Sequence, residues 1–145
     1  LKKFPDVPVP SCPLEWEDYY FLLFLNKIEP LLKKDRILFL SDFPAPLSAL
    51  SKLKPSDPRV CLRFELYFEG VEICNCFEEL TDKKEQIKRF SAQEKLKQSL
   101  YQYNLPTPTR FYESFNQGFP ESSGVALGIE RFLSKLFKVD HVFFD

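Results

Sequence analysis

The spacing of apolar positions changes from helical to alternating and back along this chain. After Pro13, apolar residues recur at Trp16, Tyr19, Tyr20, Leu23 and Ile28, with Glu15, Glu17 and Asp18 at the positive end of the helix dipole. The predicted helix stops near Glu29 and Pro30. ILFL at 37–40 predicts a short strand, SDFPAPLSALS an irregular segment, and KLKPSDP a proline-punctuated connector. RFELYFEGVEICNCFEEL, residues 63–80, alternates about Glu69 and Gly70, which predicts a hairpin with a two-residue turn. A helix over roughly 82–100 follows, opened by a capping box of Asp82 and Glu85. Ile87, Phe90, Leu96 and Leu100 form its apolar face, and its Lys and Arg residues read as a solvated face. NLPTPT predicts a loop and FYESFNQG a short helix closed by Gly118. SSGVAL reads as a strand and GIERFLSKLF as a helix entered through Gly128. The hairpin forces antiparallel pairing, so the expected class is α+β, an antiparallel sheet flanked by helices.

Composition narrows this picture. At 145 residues the chain fits one domain, with residues 1–13 (proline-rich) an extended linker and 14–145 the folded portion. A formal net charge of −1 gives no electrostatic reason to expect nucleic acid or an anionic membrane. No apolar run approaches the roughly 18 residues of a membrane span. Cysteines at 12, 61, 74 and 76 form no CxxC pair and His141 is the sole histidine, which speaks for reduced cytoplasmic thiols and against zinc. The chain has no Met and begins at Leu1, so it is expected to be a piece of a longer product.

The hairpin also carries candidate chemistry. An unbroken register sets Phe68 opposite Val71, Tyr67 opposite Glu72, Leu66 opposite Ile73 and Glu65 opposite Cys74. Phe64, Leu66, Phe68, Val71 and Ile73 then form an apolar core layer, with Arg63, Glu65, Tyr67 and Glu72 on the other face. Glu65 and Glu72 become diagonal neighbours, about 7–8 Å apart at the backbone, and repel unless a cation lies between them. Mg²⁺ suits such a pair, but the hairpin pattern alone favours a solvent-facing edge with Arg63 pairing one Glu. Asn75 breaks the alternation, which predicts a bend around CNC that brings Asn75 and Glu79 to the polar side. There Asn75 can orient a carboxylate and Glu79 can receive an ammonium group. Downstream, Gly124 and Ala126 leave space for a close-lying ligand, and Arg131 offers a planar fork for phosphate or purine.

In this order and at this separation, the segments resemble the C-terminal half of a class II aminoacyl-tRNA synthetase catalytic domain. RFELYFEGVEICNCFEELTD is similar to the hairpin of the lysyl enzymes, and GVALGIER, residues 124–131, to motif 3. SFNQGFP and DFPAPLSALS resemble two further family segments, so the likeness covers about residues 20–145. Within the family it is nearest to the short branch that modifies elongation factor P, on the FPA tripeptide at 43–45 and on Ala126 in place of Gly. The resemblance implies that Glu65 and Glu72 hold Mg²⁺ and the ATP phosphates, with Gly128 and the catalytic Arg131 on ATP. It implies an amino-acid site of Asn75, Glu79, Gly124 and Ala126, with Glu79 on the distal ammonium of lysine or β-lysine. The reaction implied is adenylate formation and transfer to a lysine of elongation factor P, by a homodimeric full-length protein. Two other outcomes are compatible: part of a lysyl-tRNA synthetase charging tRNA, or a degenerate paralogue that only binds. Cys76, Leu62 and Pro108 depart from the family pattern, and nothing resembles motif 1 or motif 2. The isolated chain is therefore expected not to activate amino acids alone.

Overall fold

A computed structural model describes residues 3–33, 36–103, 106–140 and 142; His141 and the first two residues of NLPTPT lie outside them. The strands are β1 (Ile37–Ser41), β2 (Leu53–Lys54), β3 (Asp57–Cys61), β4 (Arg63–Phe68), β5 (Val71–Glu78) and β6 (Ser123–Leu127). A four-stranded antiparallel sheet has the order β1-β4-β5-β6, and β2 pairs with β3 in a separate small sheet. The helices are α1 (Trp16–Leu23), α2 (Glu29–Leu32), α3 (Lys83–Tyr101), α4 (Thr109–Ser114) and α5 (Ile129–Phe137). The fold is α+β, an antiparallel sheet flanked by helices.

Several elements differ from the sequence expectation for identifiable reasons. The first helix does not stop at Glu29 and Pro30. A π turn at Phe24–Ile28 joins α1 to α2, and Pro30 falls in the first turn of α2, where no N–H is required of it. KLKPSDP is not a plain connector, because Lys54 pairs with Asp57 across Pro55 and Ser56 and closes the β2–β3 hairpin. The capping box at α3 is half made: Asp82 Oδ1 accepts the Glu85 N–H at 2.8 Å, while the Glu85 carboxylate accepts from Arg89 and Lys88 instead.

Arg89 is not part of a solvated face. Its Nη1 donates to Ser48 Oγ, Ala49 O and Ser51 O at 2.8–2.9 Å, which ties α3 to the loop after β1. The apolar stripe of α3 ends after Phe90, which packs edge-on against Phe111 and Tyr112; Leu96 and Leu100 are exposed. Phe43, Leu47 and Cys61 form a buried cluster, with Tyr20 of α1 and Leu40 of β1 against it. Residues 3–13 contain no helix or strand, yet Val7 is buried and Asp6 pairs with Lys27.

Candidate functional site

The hairpin turn forms as its sequence predicts. Glu69 and Gly70 both have positive φ, at 48° and 77°, the geometry that matches the twist of two paired strands. Phe68 pairs with Val71 and Tyr67 with Glu72, but then a β-bulge intervenes, and Leu66 pairs with Cys74 and Glu65 with Asn75. Ile73 is the extra residue, so the unbroken register and the place of Ile73 in the apolar layer are both corrected. The bulge does what the expected bend at CNC was to do, but two residues earlier. It shifts the rest of β5 by one, and Asn75 and Phe77 come onto the face of Arg63, Glu65 and Tyr67. Ile73 O accepts the Gly128 N–H at 2.8 Å and so fixes the entry to α5.

By register, Leu38, Leu40, Arg63, Glu65, Tyr67, Glu72, Asn75, Phe77, Gly124 and Ala126 share one face of the sheet. Its buried residues include two polar ones, Glu65 at 7% and Tyr67 at 4% exposure. The opposite face, expected to be the core layer, carries the exposed Ile37, Phe39, Val125 and Leu127 beside half-buried Phe64 and Leu66. The covered and open faces are thus reversed, because the Phe43–Leu47 cluster and α1 pack on the polar side.

Glu65 has both carboxylate oxygens engaged. Oε1 accepts from Arg63 Nη2, and Oε2 from the Tyr67 hydroxyl at 2.8 Å. Burial, then this hydrogen bond, push the Tyr67 hydroxyl well above its ordinary pKa, so it serves as a fixed donor. Arg63 also donates through Nε to Asn75 Oδ1 at 3.2 Å and through Nη1 to Leu47 O at 3.0 Å. Its guanidinium lies 4.4 Å from the Phe43 ring centroid and 5.5 Å from that of Phe77.

Glu72 is more open. Burial, and secondarily the charge of Glu65, push its carboxyl above the ordinary range, while Arg131 and Arg63 oppose the shift. Arg131 reaches Glu72 Oε2 only at 3.8 Å and donates to Glu72 O at 3.3 Å. At the other end of β5, the Glu79 carboxylate lies over Gly124: a Cβ there would come within 2.3 Å of Glu79 Oε1. Glu79 is half-buried, and its carboxylate has no hydrogen-bond or ion-pair partner among the described residues. The strip thus runs from Arg131 and Glu72, past Asn75 and Ala126, to Glu79.

A family model of class II tRNA synthetases, the D, K and N group, matches residues 23–143. The chain belongs to the class II tRNA synthetase family. Its similar relatives include the elongation factor P–(R)-beta-lysine ligases of Erwinia tasmaniensis and Vibrio cholerae. These are 39% and 40% identical over 121 residues, 83% of this chain and 37% of each relative. The ligase of the same name from Buchnera aphidicola is 42% identical over 115 residues, 77% of this chain and 35% of the relative. This class II chain therefore spans little more than a third of the length of the curated relatives it matches.

The three departures from the class II pattern lie off the strip. Cys76 pairs with Phe64 and Val125 on the opposite face, and the bulge precedes it. Leu62 forms the corner between β3 and β4, with its N–H on Lys52 O and its carbonyl on Glu78 N–H. Pro108 lines a cavity of about 760 Å³ between α3, α4 and the loop after β1, which touches none of the candidate site residues. Sequence reasoning did not assign roles to Phe43, Phe77 or the Tyr67 hydroxyl. The signal for the last was present, since Arg63, Glu65 and Tyr67 alternate on one face.

Among the described residues no group of three or more His, Cys, Asp or Glu could hold a metal ion. An ion shared with phosphates takes only one or two carboxylates from the protein. Glu72 fits that part, because a cation would offset the burial and, secondarily, the Glu65 charge that raise its pKa; Glu65 has only its remaining lone pairs to offer. Among the described residues no helix is long and apolar enough to cross a membrane.

Proposed function

We propose that this chain supplies the substrate-binding strip of a ligase that activates lysine or β-lysine with ATP and transfers it to a lysine of elongation factor P. The observation that carries the reading is the Glu79 carboxylate over Gly124, without a partner among the described residues, on the same sheet face as Asn75 and Glu72, with Arg131 of α5 beside Glu72. A lysine-like amino acid has a carboxylate at one end and an ammonium at the other, and the strip has complementary groups at matching ends. Glu79 takes the distal ammonium, with Gly124 leaving space for it, and the Asn75 amide donates to the carboxylate. Ala126, paired with Asn75, places one methyl beside that carboxylate, a group able to shift specificity by about 1–3 kcal/mol.

Arg131 and Gly128 at the start of α5, with Glu72 and Glu65, form the ATP end. The substrate carboxylate oxygen attacks the α-phosphorus of ATP, the bond to the β-phosphate oxygen breaks, and pyrophosphate leaves. Arg131 stabilises charge that develops on the phosphates. Bound through Glu72 and Glu65, Mg²⁺ would supply further neutralisation of those phosphates. The amine of the acceptor lysine then attacks the adenylate carbonyl, and AMP departs. The full-length protein acts as a homodimer in the cytoplasm, where translation factors work.

ATP–pyrophosphate exchange by the protein from the complete gene, with (R)-β-lysine and with α-lysine, tests the reading. Exchange that favours β-lysine, together with a gain of one lysyl unit by elongation factor P, is the expected result. Charging of tRNA instead would favour a lysyl-tRNA synthetase. Absence of exchange with either amino acid from a folded protein would leave a binding module and overturn the ligase.

A further inference from the structure

Arg63 links two side chains that face each other across the middle of the strip. Its Nη2 holds Glu65 and its Nε holds Asn75, while Nη1 is anchored on Leu47 O and the guanidinium lies close to the Phe43 and Phe77 rings. The side chain is only 17% exposed, so one half-hidden fork sets two groups from different strands. Arginine has five N–H donors and no acceptor. The Asn75 atom that faces it must therefore be the carbonyl oxygen, and the amide NH₂ is turned away. That NH₂ has no partner among the described residues.

We propose that Arg63 is a positioning residue, which fixes Asn75 with its amide donor toward the substrate carboxylate and ties that orientation to the rotamer of Glu65. The inference rests on the ligase reading for its kinetic consequence, but not for the Arg63–Asn75 link. Lysine at this position keeps the charge and loses the planar fork. Its ammonium pairs with Glu65, releases Asn75, and leaves the amide free to flip.

In the full-length protein, Arg63→Lys should raise KM for the amino acid about tenfold and leave KM for ATP within about threefold. Asn75→Ala alone should have a similar effect on the amino acid, and the double variant should lose little more than either single one, because both remove the same contact. A purely structural role would lower the active fraction and leave both KM values alone. Independently of activity, the Asn75 side-chain amide resonances, identified by their loss in Asn75→Ala, should shift and move closer together in Arg63→Lys. An unchanged amino-acid KM, fully additive losses, or unmoved Asn75 resonances would each overturn the proposal. A wild-type protein without exchange would sink the ligase reading instead, and the resonances in that same sample would still decide the Arg63–Asn75 link.

Discussion

In the middle of the strip, Arg63, Glu65, Tyr67 and Asn75 hold one another, and the carboxylate among them is buried with both oxygens engaged. At one end, Arg131 and Glu72 are loosely paired at 3.8 Å, with side chains 62% and 38% exposed. The same charge types serve different purposes in the two places. A buried ion pair sets geometry and is costly to break, whereas an exposed pair contributes little to the fold and is free to meet a ligand. The closed middle is thus the frame, and the open end is where incoming phosphate would be met.

Removing one arginine from each place should separate the two roles most strongly. Arg63→Met leaves Glu65 buried without its counter-charge and should cost about 3–5 kcal/mol in urea unfolding of this chain. Arg131→Met should cost less than about 1 kcal/mol in the same measurement. In the full-length protein, that second variant should lower exchange by about a hundredfold or more, as loss of a transition-state donor does. Equal destabilisation by the two variants would erase the distinction between frame and open end.

Gly124→Ala probes the open carboxylate at the far end. The added Cβ would lie within 2.3 Å of Glu79 Oε1, the tip of a flexible side chain, so Glu79 swings away and the backbone remains. Stability should change by less than about 1 kcal/mol, while affinity for a lysine-like amino acid, followed by calorimetry, falls about tenfold or more. A large loss of stability with unchanged affinity would mean that Gly124 serves packing and not the ligand.

A smaller effect is expected from pH. Burial and Glu65 raise the Glu72 pKa above its ordinary 4.5. Between the two values the folded chain binds more protons than the unfolded chain, so stability falls as pH rises through the raised pKa. Glu72→Gln should therefore be more stable than wild type above that window, and the gain should vanish as pH falls to about 4.5. Urea midpoints of both proteins across this range measure it, and a gain independent of pH would refute the electrostatic origin.

Alternation alone placed Arg63, Glu65, Tyr67 and Glu72 on one face, and the order of elements was legible from spacing and turn residues. The bulge at Ile73 was not, because an apolar residue there satisfies both the regular register and the bulged one. Only the mismatch at Asn75 signalled that the register had to shift. Which face is covered was also hidden. Phe64, Leu66 and Phe68 read as core, but coverage is decided by the Phe43–Leu47 segment, whose proline-rich sequence shows no period. Arg89 was hidden for a related reason, and Arg63 was read only as a partner for one Glu: a guanidinium that satisfies backbone carbonyls of a distant loop looks like any surface charge in sequence.

The smallest effect concerns Cys76, where the family pattern has glycine. The bulge that orients Asn75 is complete before this position, and the Cys76 side chain points to the face opposite the strip, between Phe64 and Val125. Burial, aided by Cys74 and Glu79, raises its thiol pKa, which lowers its thiolate fraction at neutral pH. Cys76→Gly should therefore cost about 0.5–1 kcal/mol, the entropy penalty of glycine within a strand. It should leave the amino-acid KM of the full-length protein within about twofold, since no group on the strip moves. A larger change in KM would show that β5 transmits strain from one face to the other. The separation between frame and open end would then have to include the backbone of β5 itself.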